Sequence, residues 1–306
     1  MIEIYLKTEH DNEFNPIANY CLGCFVYVKQ ASLEDLDQID QLVSHEIGDI
    51  HGSIDKYEIP RVEQHGDNLI LFTRHPGEQE VGLHAEPLTL ILTKKYLIAI
   101  SPYSNPLINH MLLSNIDIPT TNRSMLLLYL LARISHQFTT SIKQVRHSIL
   151  LHEQPTRMID SDAIIALTKN EETLNQYLTA LVSMRNLLEA LATHNYLELA
   201  DKDREQLQEQ VIAITQSEEL CHVNVKSIRS LRDSYQIIFT NDVNKTIKRL
   251  TAITIILSIP TMIASIYGMN VAVPFKDYPH AFMIILSTAG VFSLFAMLLF
   301  IKNRWL

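Results

Sequence analysis

The 306-residue chain has few of the residues that cross-link a fold or interrupt a helix: 3 cysteines, 8 glycines and 11 prolines. So few cysteines argue against a disulfide framework. Cys21 and Cys24 have a CxxC spacing without a second pair, and Cys221-His222 is an isolated pair, so neither predicts a metal or redox centre. No glycine-rich phosphate loop, nucleophile elbow or metalloprotease helix occurs. We therefore predict that the protein is not an enzyme.

The glycines and prolines that are present leave a long interval free. Neither residue occurs between Pro155 and Pro260, which permits very long helices. Apolar residues in this interval keep the three-and-four spacing of a packed helical face. We predict one helix that continues from about Asp203 to the end of the interval. Two helices with a polar turn near residues 215–217 are the alternative.

The chain changes character near residue 120. Before it, short β-rich runs alternate with turns, and the helix predicted at Leu33 to Glu46 has Ser32 as its N-cap. The four clearest runs are Cys24 to Val28, Leu69 to Thr73, Leu88 to Leu92 and Leu97 to Ile100. We predict a cytosolic α/β domain over residues 1–120 and a helical region, including a long stalk helix, over 121–246.

Two apolar stretches near the C-terminus predict a membrane region over residues 247–306. Thr251 to Tyr267 and Ala281 to Ile301 carry no charge and as helices would span about 26 and 31 Å, which matches a bilayer core. Buried helices of a soluble protein are the alternative. We place the spans at about 250–268 and 281–301.

The charges around these spans predict their orientation in a cell membrane. Lys and Arg side chains precede the first span and follow the second, which predicts that both chain termini are cytoplasmic. The formal net charge of the whole chain is -9. Because the membrane flanks are basic, the acidity belongs to the cytosolic part, which disfavours nucleic acid as a partner and is compatible with cations.

One face of the first span is small or hydroxylated. From the cytoplasmic side its members follow one another at steps of three and four residues, the spacing of one helix face. They are Asn244, Ile247, Thr251, Thr254, Ser258, Thr261, Ser265 and Gly268, and from Thr251 on every member is small or carries a hydroxyl group. A water-filled pore and dry helix packing both use such a face. Because two helices cannot enclose a pore, the pore interpretation requires several copies of the chain.

The first span ends in Tyr267-Gly268-Met269-Asn270. This tetrapeptide, at the end of the first of two C-terminal spans, behind an acidic cytosolic region and before a basic tail, resembles the CorA family of magnesium transporters. The resemblance implies a homopentameric, funnel-shaped channel in membrane lipid for the influx of Mg²⁺, or alternatively of Co²⁺ or Ni²⁺, with the first span lining the pore. It also implies that Tyr267, Gly268, Met269 and Asn270 form the selectivity filter.

The chemistry of this motif suits a hydrated cation. Magnesium keeps its waters, and a ring of Asn270 carboxamides accepts hydrogen bonds from them. Gly268 would allow a turn or close backbone approach, Met269 would pack between subunits and Tyr267 would anchor the interface. By resemblance, Ser258 and Thr261 form polar rings inside the pore, and Asn244, Ile247 and Leu250 form a cytoplasmic constriction.

Two further expectations come from the family. Cytosolic Mg²⁺ would also act as a regulatory ion, although the available carboxylates suit a solvated surface equally well, and we assign none of them. Candidates are Asp35, Asp37, Asp40, Asp160, Asp162, Asp201 and Asp203. The loop after Asn270 lacks the family's usual acidic residues until Asp277, and His280 keeps a zinc transporter of the same superfamily open. A membrane-anchored cation sensor or scaffold is the alternative from another class.

Overall fold

The N-terminal half of the protein is built on a seven-stranded mixed sheet with the order β2-β1-β3-β7-β6-β5-β4. The computed structural model describes residues 1–43, 48–77, 84–152, 161–194, 196, 201–271, 273–274 and 278–305. β3 and β7 are parallel and every other neighbouring pair is antiparallel. The strands are β1 Ile2–Leu6, β2 Asn15–Pro16, β3 Phe25–Lys29, β4 Arg61–His65, β5 Asn68–Pro76, β6 Ala85–Leu92 and β7 Leu97–Ser101.

The four predicted β-rich runs correspond to β3, β5, β6 and β7, and these are the strands whose side chains are almost all buried. Strands covered on both faces read as continuous apolar runs, which is why the sequence showed them. The other three strands are shorter or more polar and lie at or next to the sheet edges.

Helix α1 (Leu33–Leu42) covers one face of this sheet. Ser32 caps it as predicted, because its hydroxyl oxygen accepts a hydrogen bond from the backbone N–H of Asp35 and its own N–H donates to the Asp35 carboxylate. The helix ends at Leu42 with Val43 as its C-cap, earlier than the predicted end at Glu46, and residues 44–46 lie outside the described residues. Leu36 and Ile39 pack into the same apolar cluster as Val26 of β3.

Two helices follow the sheet, α2 (Pro106–Leu113) and α3 (Arg123–His152), and α3 packs on β5 and β6. Asn105 caps α2 through its side-chain oxygen, which accepts the N–H of Ile108, and Pro106 occupies the first turn, where its missing N–H costs no helical hydrogen bond. The sheet therefore has helices on both faces, the α/β arrangement predicted for this part of the chain.

Three more helices complete the chain: α4 Ser161–Thr193, α5 Asp201–Tyr267 and α6 Ala281–Lys302. Helix α5 has 67 residues and runs without interruption through residues 215–217. The single-helix prediction is therefore confirmed, and the alternative of two helices with a turn is excluded.

The structure divides into two compact units. The first contains the sheet, α1 to α3, most of α4, and α5 as far as Leu231, and the second contains α5 from Arg232 together with α6. Helices α5 and α6 are each long and apolar enough to cross a bilayer, and very little of their most apolar segments is buried within the single chain. The functional boundaries after residues 120 and 246 stay predictions.

Candidate ion pathway on helix α5

Within the second unit, α5 and α6 contact each other through faces of small or apolar side chains. Ala252 and Ala289 are buried, and the Ser293 hydroxyl group lies 3.5 Å from the backbone oxygen of Ile256. The half-buried residues repeat every three or four positions along each helix. On α5 they are Ile256, Ile259, Ile263 and Tyr267, and on α6 they are Ala281, Ile285, Ser293, Ala296 and Phe300.

The predicted hydroxyl face of α5 points away from α6. Every residue of that face from Thr251 to Gly268 is exposed in the single chain. At 100° per residue, its mean direction lies about 160° around the helix from the face that contacts α6. Packing against the chain's own second span therefore does not explain the hydroxyl groups.

The hydroxyl groups on this face donate hydrogen bonds to backbone carbonyl oxygens of α5 itself. Thr254 donates to the Leu250 carbonyl oxygen at 2.8 Å, Ser258 to that of Ile255 at 2.8 Å, and Thr261 to that of Leu257 at 3.2 Å. A hydroxyl group whose proton is used in this way still has oxygen lone pairs that accept hydrogen bonds. An open groove runs along these residues, in which the hydroxyl oxygens are the acceptors and Leu257, Met262 and Ile266 supply apolar surface.

The N-terminal end of the same face is more apolar. Asn244, Ile247 and Leu250 are exposed, the last two by 55% and 65%. Steps of four, three and four residues toward the N-terminus continue the face from Asn244 through Thr240 and Ile237 to Asp233, and Ile237 is 62% exposed. Sequence reasoning stopped at Asn244, although the spacing that identified the hydroxyl face extends to these residues.

At the other end of the face, α5 ends at Tyr267 and the Gly-Met-Asn triplet follows. The N–H groups of Gly268 and Met269 donate to carbonyl oxygens of the last helical turn. The Asn270 carboxamide makes no hydrogen bond among the described residues, so it does not cap α5. Gly268 does not adopt a positive φ, and an added Cβ there would make ordinary contacts. The chain's own turn therefore does not require Gly268, which leaves close approach between copies as its predicted role.

No metal site is assembled within the described part of the single chain, where no group of three or more His, Cys, Asp or Glu side chains could hold an ion. Burial alone would raise the pKa of Asp35, but hydrogen bonds from the N-terminal ammonium group and Ser32 lower it. This carboxylate serves to cap α1. Asp160 lies outside the described residues, as does Asp277 in the loop between α5 and α6.

The cysteines are free thiols, and two of them are buried, Cys24 and Cys221. Cys221 donates to the Leu174 carbonyl oxygen at 3.1 Å, and burial raises the pKa of its thiol to about 12. A thiol held protonated in this way is a poor metal ligand. The structure therefore uses Cys221 in packing between α4 and α5.

Two helices long and apolar enough to cross a bilayer, one of which exposes a polar face, are typical of a membrane transport protein. A family model described as "CorA-like Mg2+ transporter protein" matches residues 23–302. The chain belongs to the CorA family, which makes it a divalent-cation transporter rather than an enzyme. The chain is 22% identical over 282 residues to the cobalt/magnesium transport protein CorA of Methanocaldococcus jannaschii, covering 89% of this chain and 88% of the relative.

Solved structures show the same fold. The complete CorA magnesium transporter of Methanocaldococcus jannaschii superposes with a TM-score of 0.74 at 18% identity over 100% of this chain and 99% of that one. The full-length CmaX protein gives 0.68 at 14% identity, covering 99% of this chain and 97% of its own. The cytoplasmic domain of ZntB from Vibrio parahaemolyticus gives 0.61 at 10% identity, over 78% of this chain and 98% of that domain. The predicted α/β domain followed by long helices and two apolar helices is confirmed.

Proposed function

We propose that the protein is a homopentameric channel that conducts Mg²⁺ into the cytosol, with the hydroxyl face of α5 lining the pore. The observation that carries this proposal is the exposure of that face on the side of α5 opposite α6. Polar side chains make no favourable contacts with lipid. Several copies of the chain arranged around a common axis would instead bring these side chains to a shared aqueous path. The subunit number comes from the family resemblance.

The acceptor character of the face suits an ion that keeps its water. Mg²⁺ dehydrates reluctantly, so its bound waters, which are hydrogen-bond donors, are what the pore contacts. The hydroxyl groups of Thr254, Ser258 and Thr261 donate hydrogen bonds to the backbone, so their oxygens are left to accept hydrogen bonds from such waters. The free carboxamide of Asn270 would form the outermost ring, the selectivity filter, beside Tyr267, Gly268 and Met269.

The cytoplasmic end would act as the gate. Rings of Ile247 and Leu250 side chains close a narrow pore by excluding water, and Asn244 offers a polar ring beside them. Asp233, further along the same face, would place one carboxylate per subunit where the emerging cation is stabilised. The membrane potential supplies about 4.6 kcal/mol per 100 mV for a doubly charged ion entering a negative interior.

The basic flanks of the two spans give the orientation in the cell membrane. Lys245, Lys248 and Arg249 precede the first span, and Lys302 and Arg304 follow the second, so both termini would be cytoplasmic. The loop between α5 and α6 would then face outside, with Asn270 at the entrance. Surrounding lipids would cover the outward face of α6, whose large apolar side chains are exposed in the single chain.

Cytosolic Mg²⁺ would also regulate the channel. Binding between acidic domains of neighbouring subunits would offset their mutual repulsion and hold the pore closed, and loss of the ion would let the domains separate. Solution scattering of the assembled protein, with magnesium and after chelation, tests this part. A subunit arrangement that is the same in both conditions would rule it out.

The test of the main proposal is ion uptake into proteoliposomes that contain the full chain, with magnesium, cobalt and zinc supplied separately. We expect magnesium uptake by the wild type and its loss in Asn270→Ala. Asn303→Ala is the matched control, because Asn303 is an exposed carboxamide at the opposite end of the hairpin. Its uptake should equal that of the wild type.

Each contrary result has a definite meaning. Uptake of zinc in preference to magnesium would assign the chain to zinc transport in the same superfamily. Uptake of no ion by correctly inserted wild type would leave α5 and α6 as the anchor of a membrane-bound sensor or scaffold. Unchanged magnesium uptake by Asn270→Ala would remove Asn270 from the filter.

A further inference from the structure

Helix α5 has one built-in break in its backbone hydrogen bonding. Pro260 lies inside the helix, and proline has no N–H to donate to the carbonyl group four residues earlier, which belongs to Ile256. In a bilayer no water replaces the missing donor, so a carbonyl group freed by proline must find a partner within the protein. Because the bond is absent, Pro260 is also the position at which α5 bends most easily.

The partner comes from α6. The Ser293 hydroxyl group donates to the backbone oxygen of Ile256 across the helix interface at 3.5 Å, which is long for a hydrogen bond. Ser293 is half-buried on the α6 face that contacts α5. The only other described hydroxyl bond of α6 is that of Thr288, which donates to Ile284 of its own helix at 2.7 Å and is exposed.

We propose that Ser293 is a positioning residue for the pore face of α5, replacing the hydrogen bond that Pro260 removes and so limiting how far the helix bends at that point. At 100° per residue, Pro260 lies within about 60° of the face that contacts α6 and about 140° from the hydroxyl face. A change of bend at Pro260 therefore moves the outer part of the hydroxyl face relative to its inner part.

The residues on the two sides of Pro260 have different tasks in the proposed pore. Thr261, Ser265 and Asn270 lie toward the outer mouth, and Thr251 and Thr254 lie toward the cytoplasm. Holding α5 to α6 at Ile256 sets the spacing between these groups in every subunit. The inference rests on the proposed channel function for its consequence, but the Ser293 bond itself has a readout that requires no ion flow.

The test combines magnesium uptake into proteoliposomes with backbone hydrogen exchange of residues 256–264 in the same full-length protein. Ser293→Val removes the hydroxyl group, and Ser293→Thr has the same shape as Val but keeps it. We expect Ser293→Val to change magnesium uptake and to speed amide exchange near Pro260, each by about threefold, the size typical of one hydrogen bond between membrane helices. Ser293→Thr should behave like the wild type.

Two controls isolate the link to Pro260. Thr288→Val removes an α6 hydroxyl group that bonds within its own helix and should change neither readout. Pro260→Ala restores the N–H that Ile256 lacks, so adding Ser293→Val to Pro260→Ala should have no further effect. The second control separates a hydrogen bond from general packing, since packing of residue 293 does not depend on the N–H at residue 260.

The outcomes separate this inference from the channel proposal. Equal changes in Ser293→Val and Ser293→Thr, an unchanged exchange rate in Ser293→Val, or a Ser293→Val effect that persists in Pro260→Ala would each overturn the positioning role. Absence of magnesium uptake by the wild type would overturn the channel proposal instead, while the exchange measurements still decide whether Ser293 holds Ile256.

Discussion

The two units of the protein bury their apolar side chains to very different extents. In the first unit, large side chains such as Phe25, Phe72 and Phe138 are almost fully buried by the chain itself. Among the described residues of 232–306, just Ala252 and Ala289 are buried. The first unit therefore completes its core within one copy of the chain. The second requires lipid on one side and, in the proposed channel, other copies on another.

A leucine-to-alanine substitution should destabilise the first unit far more than the second. Leu90→Ala in β6 removes a fully buried side chain and should lower the free energy of unfolding by about 2–5 kcal/mol. Leu298→Ala in α6 removes a side chain that is 58% exposed and should cost less than about 0.5 kcal/mol in detergent. Thermal unfolding of both full-length variants measures the difference. Equal losses would show that the hairpin has a core of its own.

The next effect concerns a buried histidine in the first unit. His75 is fully buried; its Nδ1 lies 2.9 Å from the Pro76 carbonyl oxygen and its Nε2 3.0 Å from the Asn105 amide nitrogen. Since the Asn105 amide donates to Nε2, the neutral ring with its proton on Nδ1 satisfies both bonds. Burial lowers the pKa of His75 to about 4, although the Glu86 carboxylate lies 4.0 Å from Nε2.

The low pKa of His75 makes the stability of the folded protein depend on pH. The unfolded chain protonates His75 below about pH 6.5, whereas the folded protein does so only near pH 4. Stability from this group is therefore lost as the pH falls from 6.5 to 4, by up to about 3 kcal/mol. Unfolding at several pH values should give a smaller slope for His75→Asn than for the wild type. Identical slopes would contradict the neutral buried ring.

Two threonines of the second unit make the same kind of hydrogen bond in different surroundings. Thr254 and Thr288 each donate to the carbonyl oxygen four residues earlier, at 2.8 and 2.7 Å, but only Thr254 lies on the proposed pore face. Thr254→Val should lower magnesium uptake by about tenfold, because one ring of acceptors for the ion's waters is lost. Thr288→Val should leave uptake unchanged. Similar uptake by both variants would remove Thr254 from the ion path.

Loss of an ion pair between helices of the first unit should change the free energy of unfolding least. Arg185 of α4 donates to Glu218 of α5 at 2.8 Å and to Glu189 at 3.0 Å, and its side chain is partly exposed. Arg185→Met should lower the free energy of unfolding by at most about 1 kcal/mol, since water screens the pair. Lys94→Met, which removes a more exposed pair with Asp67, should change it by less. A loss of several kcal/mol on Arg185→Met would show a buried charge network instead.

The sequence predicted those elements whose pattern is local. Buried strands appeared as apolar runs, and the absence of glycine and proline between Pro155 and Pro260 predicted that α5 continues into the first span. β4, with Arg61, Glu63 and His65 among its residues, has no such run and was missed. Helix α2 was also missed, although Asn105-Pro106 is a recognisable N-cap followed by proline in the first turn.

For the candidate pathway, periodicity identified the hydroxyl face but not what it faces. Spacing along one helix cannot say which of its sides a second helix covers, so pore and dry packing both remained open. The structure places α6 on the side of α5 opposite the hydroxyl face. It also pairs Ser293 with Ile256, a contact between residues far apart in the sequence. Its relation to Pro260 was not visible in either span alone.

In the proposed channel, the hydroxyl face of α5 is in contact with water. Cysteine substitutions at Thr254 and Ser258, on that face, and at Ile263, on the face toward α6, can be treated with a charged, water-soluble thiol reagent during magnesium uptake. Wild type is the control for Cys21, Cys24 and Cys221. We expect the reagent to block uptake by Thr254→Cys and Ser258→Cys and to spare Ile263→Cys. Unmodified cysteines at positions 254 and 258 would contradict the pore and favour dry packing between copies.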